Sequence, residues 1–289
     1  YKGITIVTMP RFDLEQFLKL MQDYRITRAN LVQPIILALA KHPIVSQYDL
    51  SHLRIIMSGA APLSAELAQE ASQRLGGIVM QGYGLTETSP VTHVNPEDPA
   101  KIKLGSVGPP IANTECMVVD LNTGNPKGVR EEGEIWIRGP QVMKGYLNAP
   151  EATAFTLTPE GWLRTGDVGY VDEDGYFYIV DRVKEMIKYK GLQIAPAELE
   201  AVLLTHPAVA DAAVIPSPDP EAGEVPKAFV VLKPDIPTTA EDLMEYVAER
   251  VAPFKKIRRI EFVQQIPKSP SGKILRRVLV QQERERHQT

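Results

Sequence analysis

The chain has 289 residues, enough for about two domains, and its 44% hydrophobic and 24% charged residues are ordinary for a globular protein. A formal net charge of −4 argues against general affinity for nucleic acid or a membrane surface. Cys116 is the only cysteine, which excludes an internal disulfide and fits a reducing intracellular compartment, cytoplasmic or peroxisomal; no apolar run of about 18 residues marks a membrane span.

Residues 1–101 read as an α/β layer. Residues 1–10 lack an initiator Met and a polar tail, so the chain is expected to begin inside a larger protein, with a strand over residues 5–9. An amphipathic helix follows over residues 13–24, with Leu14, Phe17, Leu18 and Met21 on one face. A strand at 29–32 precedes a helix at 34–41. A short apolar strand at 53–57 stops at Ser58-Gly59-Ala60-Ala61-Pro62. Ser64 can cap a helix at 65–75. A buried-type strand at 78–80 then runs into a Gly-rich loop, and such loops hold ligands at the carboxyl ends of open α/β sheets.

Residues 102–180 change character. Gly and Pro punctuate short strands at 114–120, 133–138, 168–171 and 176–179, with a turn at Asp172-Glu173-Asp174-Gly175. This pattern predicts a small β-barrel or β-subdomain. Gly124-Asn125-Pro126-Lys127-Gly128 reads as a β-turn. From residue 181 helices and strands alternate: helix 196–205, strands 209–215 and 228–232, helix 240–250, strand 259–263, a loop at 267–272 and a basic helix from 274, its end frayed over 281–289. That is a compact α+β unit of about 110 residues. The expected division is 1–180 for a larger domain and 181–289 for a smaller one.

Several segments carry candidate chemistry. In Gln81-Gly82-Tyr83-Gly84-Leu85-Thr86-Glu87 the glycines admit a ligand close to the backbone, and Tyr83 offers a flat face to a base. Thr86 can donate to a phosphate, and Glu87 can hold Mg²⁺, a hard cation that prefers oxygen. The stretch from Asp181 to Glu200 places Arg182, Lys184, Lys188 and Lys190 beside the Gly191 turn, a density of positive charge suited to an anion. Its alternation puts Lys188 and Lys190 on one strand face. Pro196 fits a first helical turn, with Glu198 and Glu200 near the positive helix end. Histidines at 42, 52, 93, 206 and 287 form no metal spacing. For His93, just past the Gly-rich loop, a surface role is the expectation.

These segments, with Gly133–Gly139 and Lys144-Gly145-Tyr146-Leu147, then Gly161–Asp167, and finally Pro267-Lys268-Ser269-Pro270-Ser271-Gly272-Lys273-Ile274-Leu275-Arg276-Arg277, stand in the order of the adenylate-forming enzymes, which the chain resembles. That family includes acyl-CoA ligases, luciferases and peptide-synthetase adenylation domains. Ser58–Pro62, the run 180–200 and Ala222-Gly223-Glu224-Val225-Pro226 lean towards its 4-coumarate–CoA ligase branch. The resemblance implies the C-terminal part of a large AMP-binding domain, followed by a small mobile domain that hinges near Asp181.

The resemblance also implies roles. Gln81, Gly82, Tyr83, Gly84, Thr86, Asp167, Ile179 and Arg182 would bind the nucleotide, with Asp167 and Arg182 on the ribose and Glu87 on Mg²⁺. Ala60, Val94, Lys184, Lys188 and Gln193 would line the acyl-adenylate, with Gln81, Gly82 and Thr86 also beside the acyl group. Lys190 and Gly191 would meet coenzyme A, and Lys273 would carry adenylation. The 133–147 motifs are read as mainly structural. The implied reaction joins a carboxylic acid to CoA at the expense of ATP, through an acyl-adenylate. An aromatic acid is the first expectation and a fatty acid the second. The alternatives are a luciferase-like oxygenase and a non-catalytic binding fragment. The family's Ser/Thr/Gly-rich phosphate loop finds no match here. A missing N-terminal half is therefore the expected partner, and the chain alone is expected not to adenylate.

Overall fold

The computed structural model describes residues 3–60, 63–234, 236–269 and 272–287. Ala61, Pro62, Pro270 and Ser271, which belong to two of the motifs above, lie outside the described residues. The chain forms two compact units, residues 1–86 with 90–111, and residues 87–89 with 112–289. The break expected at residue 181 is one of motion, and it remains a proposal.

In the first unit, Asp13 accepts the Gln16 N–H and opens helix α1 (Leu14–Asp23), whose Leu18 and Met21 are buried. Strands β1 (Arg28–Val32), β2 (Ile55–Gly59) and β3 (Ile78–Gly84) run parallel in that order. The crossovers are helices α2 (Gln33–Lys41) and α3 (Ala65–Leu75), which pack on each other. Ser64 Oγ accepts the Leu67 N–H at the start of α3, and Gly76, at φ 71°, ends it in the left-handed conformation. Leu18, Ile36, Leu39, Ile56 and Ala71 lie in one core, and each large apolar side chain there adds about 1.5–3 kcal/mol.

Two expectations fail in this unit. Residues 5–9 form no strand, because a strand needs a neighbour and none pairs with them among the described residues; Ile4 and Ile6 stay exposed. The Gly-rich loop is in part strand: β3 continues through Gln81-Gly82-Tyr83-Gly84 and pairs antiparallel with β4 (Val91–Val94). The turn between them is tight enough that a Cβ on Gly84 would lie 1.8 Å from the Pro90 carbonyl oxygen, so only glycine fits.

The second unit holds two sheets. Strands β5 (Glu115–Val119), β6 (Gly133–Arg138), β7 (Leu163–Val171) and β8 (Phe177–Arg182) form an antiparallel meander in sequence order. This is the predicted β-subdomain, with a short helix α4 (Pro150–Thr156) before β7. The other sheet has order β10-β9-β12-β11, from β9 (Ile187–Tyr189), β10 (Leu192–Ile194), β11 (Val209–Asp219) and β12 (Gly223–Leu232), with β13 (Arg259–Phe262) parallel on β12. Helices α5 (Pro196–Leu204) and α6 (Ala240–Ala248) pack on it over Leu199, Leu203, Val214, Val230, Leu243 and Val247.

The terminal helix α7 (Arg276–His287) runs further than the frayed end expected. Leu279 joins Ile215 and Phe229 in a core, and the buried Glu283 bonds both Lys227 Nζ, at 2.5 Å, and Ser217 Oγ, at 2.6 Å. Those bonds satisfy polar groups that would otherwise be buried alone, so the helix continues where its sequence is highly charged.

Candidate functional site

Because β1–β3 are parallel, the chain leaves β2 and β3 at the same sheet end, and the expected residues of the first unit gather there. Gly82 lies opposite Val94 and Tyr83 opposite His93. A Cβ on Gly82 would meet the His93 carbonyl at 3.2 Å and Val94 Cγ2 at 3.8 Å, so glycine keeps this wall low. Tyr83 is half-buried, its ring 5.7 Å from the His93 ring and tilted by 51°. Thr86 is exposed and begins a single 3-10 turn, Thr86–Thr88. Ala60 follows β2 in a left-handed conformation at φ 70°, which costs a non-glycine residue about 1–2 kcal/mol. Gln81 is buried; its amide Nε2 donates to the Leu63 carbonyl at 3.0 Å and its Oε1 accepts the Leu63 N–H at 3.1 Å.

His93 is not a surface residue. It is fully buried behind Tyr83, with Nδ1 3.0 Å from Thr92 Oγ1, and Thr92 Oγ1 donates to the Tyr83 carbonyl at 3.2 Å. The sequence reading assigns no element to residues 91–94, and it is pairing with β3 that buries His93. Its desolvation pushes the imidazole pKa down to about 3. An unfolded histidine titrates near 6.5, so below that pH the unfolded state takes a proton that the folded state refuses. Stability should therefore fall as pH drops from about 6.5 towards about 3. Urea midpoints at about pH 7 and about pH 5 should separate further for the wild-type chain than for His93→Gln. Equal separations would rule out this contribution.

In the second unit, Glu87 Oε1 accepts the Tyr146 hydroxyl at 2.7 Å, and the Glu87 carbonyl accepts the Met143 N–H at 2.8 Å. The Lys144-Gly145-Tyr146 motif thus orients a carboxylate, a role missed because nothing in the sequence pairs Tyr146 with a residue 59 positions away. Among the described residues no group of three or more His, Cys, Asp or Glu could hold a metal. One carboxylate suits Mg²⁺, which keeps most of its waters and takes its other oxygens from phosphates.

Asp167 and Arg182 face each other across β7 and β8, with Asp167 Oδ1 3.1 Å from Arg182 Nε. The aspartate side chain is 5% exposed and the arginine 46%, so a buried carboxylate is paired with a partly exposed guanidinium. Ile179 lies opposite Gly169 on the same pair of strands. Asp181 is next in β8; its Oδ1 accepts the Arg182 N–H at 2.7 Å and its Oδ2 the Ala197 N–H at 2.9 Å, at the start of α5. Burial pushes the Asp181 carboxyl up, against the pull of Arg276.

Lys184 lies exposed in the turn after β8. Lys188 and Gln193 are register partners on β9 and β10, both exposed. Lys190 and Gly191 join these strands with φ 47° and 82°, both left-handed, which makes a two-residue type I′ hairpin. Lys190 is therefore a turn residue, and the strand alternation that would align it with Lys188 stops at Tyr189. Lys273 sits before α7. Its N–H donates to Ser269 Oγ at 3.1 Å and its carbonyl accepts the Ser269 N–H at 2.9 Å. Its ammonium is exposed and makes no bond among the described residues, whereas Lys268 in the same loop is tied to Asp211 at 2.6 Å.

Two carboxylates expected near a helix end turn out to be structural. Glu198 pairs with Lys255 at 2.6 Å. Glu200 is buried, accepting the Val214 N–H at 2.8 Å and Arg276 Nη2 at 2.6 Å.

The sequence pattern of the family described as "AMP-binding enzyme" matches residues 1–147, and that of its C-terminal domain residues 198–273. A 4-coumarate–CoA ligase of Pinus taeda is 51% identical over 281 residues, which cover 96% of this chain and 52% of that protein. The 4-coumarate–CoA ligase 2 of Oryza sativa subsp. japonica is 50% identical over 281 residues, 96% of this chain and 49% of its own length. The chain thus spans about half the length of these relatives. The crystal structure of the anthranilate CoA ligase AuaEII in complex with anthranoyl-AMP superposes with a TM-score of 0.86 at 32% identity, covering 93% of this chain and 52% of that one.

Proposed function

The chain belongs to the AMP-binding enzyme family, and on that premise we propose that it serves an ATP-dependent carboxylic acid–CoA ligase of the 4-coumarate–CoA ligase kind. In the first step a carboxylate oxygen attacks the α-phosphorus of ATP, and pyrophosphate leaves. In the second the thiol of CoA attacks the acyl carbonyl, and AMP leaves. In this reading Tyr83 presents its ring to the adenine, and Gly82, Gly84 and Thr86 border the nucleotide. Glu87, oriented by Tyr146, holds Mg²⁺, which offsets phosphate charge when bound. Ala60 and Val94 border the acyl group, with Lys184, Lys188 and Gln193 near the adenylate. Lys273 offers its unengaged ammonium to the reacting carboxylate and phosphate. Asp181 is the pivot that replaces Lys273 with the Lys190-Gly191 hairpin for CoA. The chain alone binds nucleotide without adenylating, since no segment of it supplies the Ser/Thr/Gly-rich phosphate loop.

The observation that carries this reading is the buried Asp167 carboxylate paired at 3.1 Å with the partly exposed Arg182 guanidinium. A carboxylate accepts from two hydroxyls at once, which suits the vicinal diol of a ribose. Calorimetry of the isolated chain tests it. AMP should bind more tightly than its 2′-deoxy or 3′-deoxy analogue by about 1.5–3 kcal/mol. Asp167→Asn should erase most of that preference. Equal affinities for AMP and the deoxy nucleotides in the wild-type chain would refute the assignment of Asp167 to the ribose.

A further inference from the structure

Arg276 stands three positions after Lys273, as the first residue of α7, and its guanidinium reaches back to two earlier segments. Nη1 donates to Glu185 Oε2 at 2.7 Å and Nη2 to Glu200 Oε2 at 2.6 Å. Glu185 lies in the turn that leaves β8, where its own N–H and that of Met186 donate to the Arg182 carbonyl at 2.9 and 3.1 Å. Glu200 lies in α5, the helix whose first turn the Asp181 carboxylate holds, and its Oε1 accepts the Val214 N–H of β11. One side chain therefore ties together the turn after β8, helix α5 and the start of α7.

The backbone between Lys273 and Arg276 has little slack. The Leu275 N–H donates to the Pro267 carbonyl at 2.9 Å, and Ile274 is bridged to Lys268. Lys273 bonds Ser269 through both its N–H and its carbonyl. Every residue from Gly272 to Arg276 lies among those described, so the path from the guanidinium to the lysine is continuous. Arg276 is also a poor choice for stability alone, since its Nε is buried and bonds nothing among the described residues. Apolar groups of similar volume often match a buried ion pair in stability, whereas a planar guanidinium fixes two carboxylates in one geometry. Such a fork suits positioning.

We propose that Arg276, through its bond to Glu185, is a positioning residue for Lys273: it fastens the exit of the lysine loop to the turn beside Asp181, so that loop and turn keep one geometry while carboxylate and α-phosphate react. This rests on the ligase reading above, in which Lys273 serves adenylation and Asp181 is the pivot. Arg276 touches neither substrate and acts only through the loop.

The test places Glu185→Ala in a full-length enzyme that contains this chain, alone and combined with Lys273→Ala. Pyrophosphate exchange at saturating acid and ATP should slow by about tenfold or more, as misplacement of a reacting group does. The KM values for acid and ATP, and thioester formation from supplied acyl-adenylate, should each change by about twofold or less. In the Lys273→Ala background, adding Glu185→Ala should slow adenylation by no more than about twofold, because the group it positions is already gone. Should Glu185→Ala fold poorly, Arg276→Lys keeps the charge, loses the fork and should give the same pattern. In the isolated chain, the Leu275 amide should exchange with solvent about tenfold faster in either variant.

Equal slowing of both half-reactions, or additive losses in the double variant, would make the pair merely structural and overturn the proposal. An unaltered Leu275 amide exchange rate would overturn the fastening itself. Should Lys273→Ala alone leave adenylation intact, the assignment of Lys273 in the ligase reading fails instead, while the amide measurement still tests the fastening.

Discussion

Arg276→Ala is expected to lower the unfolding free energy of the second unit by about 3–5 kcal/mol, the range for removing one partner of a buried ion pair. Arg276 Nη1 bonds Glu185 Oε2 at 2.7 Å and Nη2 bonds Glu200 Oε2 at 2.6 Å, with its side chain 16% exposed. Burial works against this cation, yet the charges of Glu200, Asp181 and Glu185 outweigh it and raise the guanidinium above its ordinary value. Removing the arginine strands the buried Glu200 and Asp181 without their cation. Burial already pushes the Glu200 and Asp181 carboxyls up. Without Arg276 they rise further, so the variant binds protons more tightly folded than unfolded. The loss should therefore be greatest at neutral pH and shrink as pH falls from the raised folded values towards the ordinary carboxylate range. Arg286→Ala, which removes the exposed pair with Glu261, is the control and should change stability by about 0–1 kcal/mol. Urea denaturation of both variants checks this, and a pH-independent loss for Arg276→Ala would contradict the electrostatic account.

Lys273→Ala, made in a full-length enzyme that contains this chain, should slow adenylation by about 10²–10³-fold, the usual effect of losing one transition-state donor. The loop is built to present this lysine. Its backbone is pinned to Ser269 on both sides, and Lys268 is bridged to Ile274 across it. With the backbone fixed and the ammonium unengaged, the side chain is available for charge that appears only as carboxylate and phosphate react. Thioester formation from supplied acyl-adenylate should change by only a few-fold, about 1 kcal/mol or less. Pyrophosphate exchange reports the first step and CoA-dependent consumption of adenylate the second. Equal losses in both would contradict the division of labour between Lys273 and the Lys190-Gly191 hairpin.

Much of this fold was legible because local chemistry and tertiary demand agree. Ser64 and Gly76 bracket α3 as cap and stop, and Pro196 opens α5. The strands of the C-terminal sheet carry their apolar runs openly. What was not legible depended on partners distant in sequence. Val91–Val94 looks like loop beside so many glycines, and only pairing with Gly82–Gly84 makes it a strand and buries His93. Glu283 reads as part of a solvated tail until Lys227 and Ser217 are placed beneath it. Among the candidate site residues, Lys273, Lys188 and Gln193 are exposed, and the roles their motifs imply remain proposals. The bonds that orient the site, Gln81 to Leu63 and Tyr146 to Glu87, join residues 18 and 59 positions apart, and no local pattern announces them.

Asp181 has one further consequence, for tempo. Its main chain is stitched into β8 against Val168, while its carboxylate holds the first turn of α5, and Val168, Met186 and Ala195 close over the junction. Were Asp181 the pivot proposed above, any rotation there would have to release the strand, the helix cap or the apolar seal, so small drifts would be resisted. Turning there would resemble the throw of a latch, with two resting positions and a sparsely visited middle. A ligase geared to such a latch would keep time by its release, and turnover would then follow the rate of that release even where the chemistry on either side is fast.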